Sequence, residues 1–323
     1  MTTISRNTSL RALGNRAWAL SPALTLGAGA MFLGALLSVL GMVLDSRQLL
    51  GEPLWLKPAK FYFSLGLYDV TLLYFLAFLP EHGRKTRILG AILSLCGVLE
   101  MVAITLQAAR GVRSHFNITS LFDMVIYQSM GITITVLWVT MMVLGVMLLR
   151  AKLEERPLAS ALRMGVVVAV VGMGVGYFMT SPHGAQQMAA LKAGQKPPEA
   201  GGHTFGGTDG GHGLPLVGWS VTAGDMRPAH FLGLHGMQVL PLVALLLSRR
   251  RVRSESSELA VVRGVGVAYL GLTLTLALQA LRGLPIVEWD ATGHASLALV
   301  LVASGLTFAA SLVRRKEPAH SVA

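Results

Sequence analysis

Glu100, Gln107 and Arg110 stand seven and three residues apart in the otherwise apolar stretch LEMVAITLQAARG. Seven residues make nearly two turns of an α-helix, so the carboxylate and the amide project from one face and the guanidinium borders it. A carboxylate set among apolar residues in this way costs several kcal/mol unless it is paired, protonated or facing water. The three residues therefore form a candidate path for a proton, an ion or a substrate. The alternative is a hydrogen-bond network that only ties helices together. Lys60, Asp69 and Asp123, in adjacent stretches, are candidates for the same path.

Histidines supply the second candidate chemistry. His230 and His235 open one apolar stretch and His294 opens another. If those stretches are parallel helices lying diagonally across a four-helix bundle, two of these imidazoles are placed to ligate a b-type heme or to help hold a metal ion. Hydrogen bonding between helices is the competing role. A third candidate is the Gly-rich segment GGHTFGGTDGGHGLPLVGWS, with His203, Asp209 and His212, inside a 47-residue connection at 181–227. Long connections in compact proteins tend to be functional or disordered, and this one is a candidate lid. Its histidine spacing fits no standard zinc pattern. P-loop, dinucleotide, HExxH and CxxCH signatures are missing, which removes support for ATP-driven transport, NAD chemistry, zincin proteolysis and covalent heme attachment.

Such residues need elements to position them, and composition says which. The chain is 53% hydrophobic and only 13% charged, about half the charged share of a soluble domain. Apolar stretches near 21–43, 60–79, 88–109, 122–148, 159–180, 229–248, 260–281 and 293–313 are each long enough to cross a hydrocarbon core. The expected fold is thus an all-α membrane protein with eight transmembrane helices.

The net charge of +11 points to topology and not to nucleic acid. Arg6, Arg11, Arg16, Arg84, Lys85, Arg87, Arg150, Lys152, Arg156, the run Arg249, Arg250, Arg251 and Arg253, and Arg314, Arg315 and Lys316 all fall on the side of the N-terminus. By the positive-inside rule both termini, segments 1–20 and 314–323, are expected in the cytoplasm. Composition points to a bacterial plasma membrane. The lone Cys96 rules out an intramolecular disulfide.

Two phrases recur along the chain. KPAKF at 57–61 returns as RPAHF at 227–231, and LQAARG at 106–111 returns as LQALRG at 278–283, at offsets of 170 and 172. HFNIT at 115–119 and EWDAT at 288–292 add a third pair, at an offset of 173. Matches in one order at nearly one offset indicate a parallel duplication, with 21–148 as the first four-helix repeat and 159–313 as the second. The proline of each five-residue phrase suits the first turn of a helix, and the basic residue before it can snorkel to the interface. The copies differ in polarity: Glu100 aligns with Leu272, Asp69 with Val239, and Lys60 with His230.

EMVAITLQAARGVRSHFN, HTFGGTDGGHGLPLVGWS and RPAHFLGLHGMQVLPL together resemble an uncharacterised family of bacterial multi-pass membrane proteins, a resemblance that transfers no activity. The duplicated four-helix plan is also similar to heme A synthase. That similarity implies a C-terminal heme site at His230 or His235 with His294. The first half departs from the pattern, with Lys60 where a histidine is expected and none in its fourth helix.

Two main functions are therefore expected. One is heme b or metal binding at His235 and His294, with His230 as alternate, for redox or sensory work with a partner on the outer side. The other is proton-coupled transport of a small solute through Glu100. A non-enzymatic assembly subunit embedded in membrane lipids is the third reading.

Overall fold

The computed structural model describes residues 10–79, 83–197, 199–249 and 254–313. Arg6, Arg250, Arg251, Arg253, Arg314, Arg315 and Lys316, on which much of the expected orientation rests, lie outside the described residues, as does the whole expected tail 314–323. The chain divides into two compact units, residues 1–151 and 152–323.

The first unit begins with a short helix α1 (Leu10–Leu20), inside the segment 1–20 expected ahead of the first span. Ser21 interrupts it and caps the next helix, α2 (Pro22–Leu44), by accepting a hydrogen bond from the Leu24 amide, with Pro22 in the first turn. Arg87 donates to the Ala19 carbonyl at 2.8 Å and so closes the end of α1. A tight hairpin of β1 (Gln48–Leu49) and β2 (Glu52–Pro53) leads into α3 (Leu56–Leu76), then α4 (Gly83–Ala109) and α5 (Leu121–Arg150). α2 packs on α3 and α4, α3 packs on α4, and α5 packs chiefly on α4.

The second unit contains α6 (Arg156–Val175), which tightens into a 3-10 turn at Gly176–Thr180. Within the long connection lie α7 (Ala185–Lys192) and a small ribbon of β3 (Thr204–Phe205) and β4 (Gly224–Asp225). The long helices α8 (Arg227–Arg249), α9 (Glu255–Leu281) and α10 (Ala291–Val313) complete it. α6, α8 and α9 pack on one another, and α10 packs chiefly on α9. Glycines bring α6 and α8 together: a Cβ on Gly172 would stand 2.5 Å from the Gly233 backbone, and one on Gly165 would stand 3.1 Å from that of Gly236 and Met237. Small residues at such a crossing let backbones touch where lipid offers no hydrophobic drive.

Among the described residues, seven helices are long and apolar enough to cross a membrane. α3 is 21 residues long but is not one of them, because it carries Lys57, Lys60 and Asp69. Large apolar side chains point away from the helix contacts, as with Leu33, Leu36 and Leu40 on α2 and Leu299, Val302 and Leu306 on α10. This all-helical architecture is that of a multi-pass membrane protein. One expectation needs correction. The helices of the second unit do not close into a four-helix bundle with α8 and α10 on its diagonal: three form a triangle and the fourth is appended to α9.

Candidate functional site

Three groups of polar residues in the first unit contain its buried carboxylates Asp123, Glu100 and Asp69. At the C-terminal end of α4, Gln107 is fully buried and donates from Nε2 to Asp123 Oδ1 at 2.9 Å. Arg110 donates to the same Asp123 oxygen at 2.6 Å and to Gln107 Oε1. The remaining Asp123 oxygen accepts from the Ser120 hydroxyl at 2.6 Å, while Ser120 caps α5. This cluster closes one helix and opens the next with its hydrogen bonds internally matched. It joins α4 to α5. Gln107→Ala is expected to lower thermal stability in detergent by about 1–2 kcal/mol, the net value of one or two such bonds. Proton flux is expected to stay at the wild-type level.

Glu100 leaves that ladder and joins the second group. Its side chain is 3% exposed, and Oε1 faces His115 Nε2 at 3.5 Å while Oε2 is buried with no hydrogen-bond partner among the described residues. His115 Nδ1 lies 3.1 Å from Lys57 Nζ and 3.0 Å from the Ser114 hydroxyl. An Nδ1 that receives these donors leaves the ring proton on Nε2, aimed at the carboxylate. His115 lies in the connection between α4 and α5, which is held down by Phe116, itself 3% exposed and at φ +63°. A left-handed conformation in a phenylalanine costs about 1–3 kcal/mol, and here burial of the ring compensates it. Phe61 flanks His115 with ring centroids 5.9 Å apart. The separation between His115 and Glu100 exceeds a hydrogen bond, so transfer requires a small closure of this connection or a bridging water.

The third group is Asp69 on α3 with Ser94 on α4, both buried. Lys60, placed on the path from sequence, points elsewhere and pairs with Glu52 of the hairpin at 3.7 Å. Lys57 and His115 join the candidate residues here, although the sequence showed Lys57 only as the first letter of KPAKF and His115 only as the first letter of HFNIT.

In the second unit the candidate histidines go three ways. His230 fills a notch beside Gly176 and contacts the Gly172 carbonyl through Nδ1 at 2.7 Å. His235 lies five residues on, about 140° around the helix. That puts it on the face away from the buried Gly233, Met237, Leu240 and Ala244, with its ring 4.3 Å from that of Phe231 and a buried Nε2 that has no hydrogen-bond partner among the described residues. His294 is exposed at the start of α10, where Nδ1 contacts the Asp290 carbonyl one turn back at 2.8 Å. His230 thus faces α6, whereas His294 stands exposed on a helix that packs chiefly on α9. Among the described residues no group of three or more His, Cys, Asp or Glu side chains is placed to hold a metal ion.

No protein-family model, curated protein or solved structure matches the chain. Its own geometry therefore carries the functional reading.

The Gly-rich connection forms an ordered turn system. Asp209 accepts from the His203 amide at 3.0 Å and the Thr204 amide at 2.9 Å, with His203 Nδ1 at 3.1 Å, while His212 takes no part in the pair. Burial alone would raise the Asp209 carboxyl, but the His203 side chain and these amides outweigh it and hold the group well below the usual carboxylate range. A depressed acid stabilises the fold fully above its unfolded pKa of about 4, and the contribution drains as pH falls toward the folded value. Protection of the amides across 201–226, taken relative to their intrinsic exchange rates, is therefore expected to fall below about pH 4. In Asp209→Asn that protection should already be low at neutral pH.

Proposed function

We propose that the chain is a bacterial plasma-membrane protein of eight spans, with both termini cytoplasmic, that couples proton movement to the transport of a small solute through Glu100. One observation carries this: a carboxylate buried to 3% exposure, with one oxygen unpartnered among the described residues and the other facing an imidazole whose far nitrogen meets a lysine ammonium. A proton arriving at His115 Nδ1 from the outer side releases the Nε2 proton to Glu100 Oε1, which neutralises the carboxylate inside the membrane. Reversal returns it. Neutralisation removes the several kcal/mol penalty of a buried charge, so loading and unloading Glu100 alters which helix arrangement is favoured.

α3 is the eighth span in this reading, with Lys57 and Lys60 snorkelling to the outer interface. A duplicated four-helix plan is supported by matched details. α4 and α9 both end on a glycine at positive φ, Gly111 at +74° and Gly283 at +76°, each bonded back to the preceding turn in the same way. Just before each glycine an arginine reaches an aspartate near the start of the following helix, Arg110 to Asp123 and Arg282 to Asp290.

Proton flux into proteoliposomes, driven by a potassium diffusion potential, tests the reading. Loss of flux in Glu100→Gln at unchanged helix content supports it. Wild-type flux in that variant rejects it.

A further inference from the structure

Asp69 lies twelve residues into α3 from Lys57, about 18 Å along the axis. Its side chain is buried, and Oδ2 has no hydrogen-bond partner among the described residues. Ser94 of α4 lies beside it: Asp69 Oδ2 and Ser94 Oγ both stand within 2.5 Å of the point a Gly27 Cβ would occupy on α2. Only a glycine leaves room for that carboxyl and that hydroxyl together.

The direction of the Ser94 hydroxyl decides what Asp69 can be. Ser94 Oγ donates its proton to the Ala23 carbonyl at 3.0 Å, so toward Asp69 it presents lone pairs alone. An ionised carboxylate facing those lone pairs would be repelled and unpaired. A neutral carboxyl removes that repulsion and has a proton to offer toward Ser94 Oγ. None of the three helices that meet here brings a cation to this point. α2 contains no titratable residue. On α3 the adjacent Tyr68 hydroxyl donates to Met141 Sδ of α5 at 3.6 Å, and Lys57 and Lys60 sit at the far end of the helix. On α4 the titratable groups are Cys96, Glu100 and, at the first turn, Arg84, Lys85 and Arg87, of which Arg87 is engaged with α1.

We infer that Asp69, Ser94 and the space left by Gly27 form a second proton-binding site, occupied as the neutral acid and lying inward of Glu100. Ser94 precedes Glu100 by six residues of α4, so the two sites are about 9 Å apart along the helix. Between them Gly97 faces Met31 and Leu65, flexible apolar side chains at 3.8 and 3.9 Å from its Cβ position. The inference extends the proton-coupled reading by adding an inner station, with an apolar gap that must open for a proton to pass from one to the other.

Infrared difference spectra of the full chain in lipid at neutral pH test it. Wild type minus Asp69→Asn is expected to show one neutral carboxyl C=O band that shifts in D2O, and Ser94→Ala is expected to move that band to higher frequency as its acceptor is lost. A carboxylate band in its place, or a C=O band that Ser94→Ala leaves unmoved, overturns the inference. Ser94→Ala guards against an Asp69→Asn protein that fails to fold. Proton flux is expected to fall at least tenfold in Asp69→Asn; unchanged flux would make Asp69 a structural acid and overturn the second station. Glu100→Gln should keep the Asp69 band, so the failure of the outer relay and the failure of this site register separately.

Discussion

Glu100→Gln is expected to lower potential-driven proton flux by on the order of a hundredfold, the scale on which removal of a positioned acid–base group acts. The amide keeps the volume and the polarity of Glu100 but cannot carry the proton. Because Oε2 has no partner to lose among the described residues, the fold should be unharmed. His115→Ala is expected to lower flux less, by roughly tenfold, and added imidazole should restore part of it, since the relay requires a ring with two nitrogens at that place. A merely structural histidine would show no such rescue. Lys60→Ala, which removes a pairing with Glu52, should leave flux near wild type. Flux in Glu100→Gln equal to wild type would move the function away from the first unit altogether.

The largest effect on stability is expected at Gly172. A side chain there meets the Gly233 backbone at 2.5 Å, and backbone cannot swing aside as a flexible side chain can. Gly172→Leu should therefore drive α6 from α8 and release the contact between His230 and the Gly172 carbonyl. A loss of about 3 kcal/mol or more is expected, read as a lowered Tm or as failure to purify a monodisperse protein. Gly29→Ala is the matched control, since nothing lies within 4 Å of its Cβ position on α2. That change should be neutral, or stabilise by about 0.5–1 kcal/mol as alanine replaces glycine in a helix interior. Equal tolerance at both positions would mean that the two helices do not meet as described.

The range of each interaction set how much of it was legible in the sequence. Apolar stretches long enough to span a membrane are a property of consecutive residues, and the helix ends fell within a few residues of those expected. Ser21 before Pro22 is likewise a local signal, and the first expected apolar stretch begins at that residue. The joint at Gln107, Arg110 and Asp123 was half legible: helical spacing put the first two on neighbouring faces, but only the return of the chain at Ser120 brought Asp123 to them. The same spacing wrongly joined Glu100 to that ladder.

Periodicity along one helix states which residues share a face and not what stands opposite that face. The sequence by itself therefore determined the solvent of this protein, its long apolar segments and the recurrence of two phrases along them. Tertiary structure alone decided that Glu100 answers to His115 and Lys57, because those partners come from a connection and a helix many residues away in the chain. It also set His230 against α6 and left His294 exposed on α10, because the placement of α10 beside α9 depends on packing between helices whose sequences are uniformly apolar and specify no partner. Asp69 became a distinct site for the same reason: the gap at Gly27 and the direction of the Ser94 hydroxyl exist only where three helices meet.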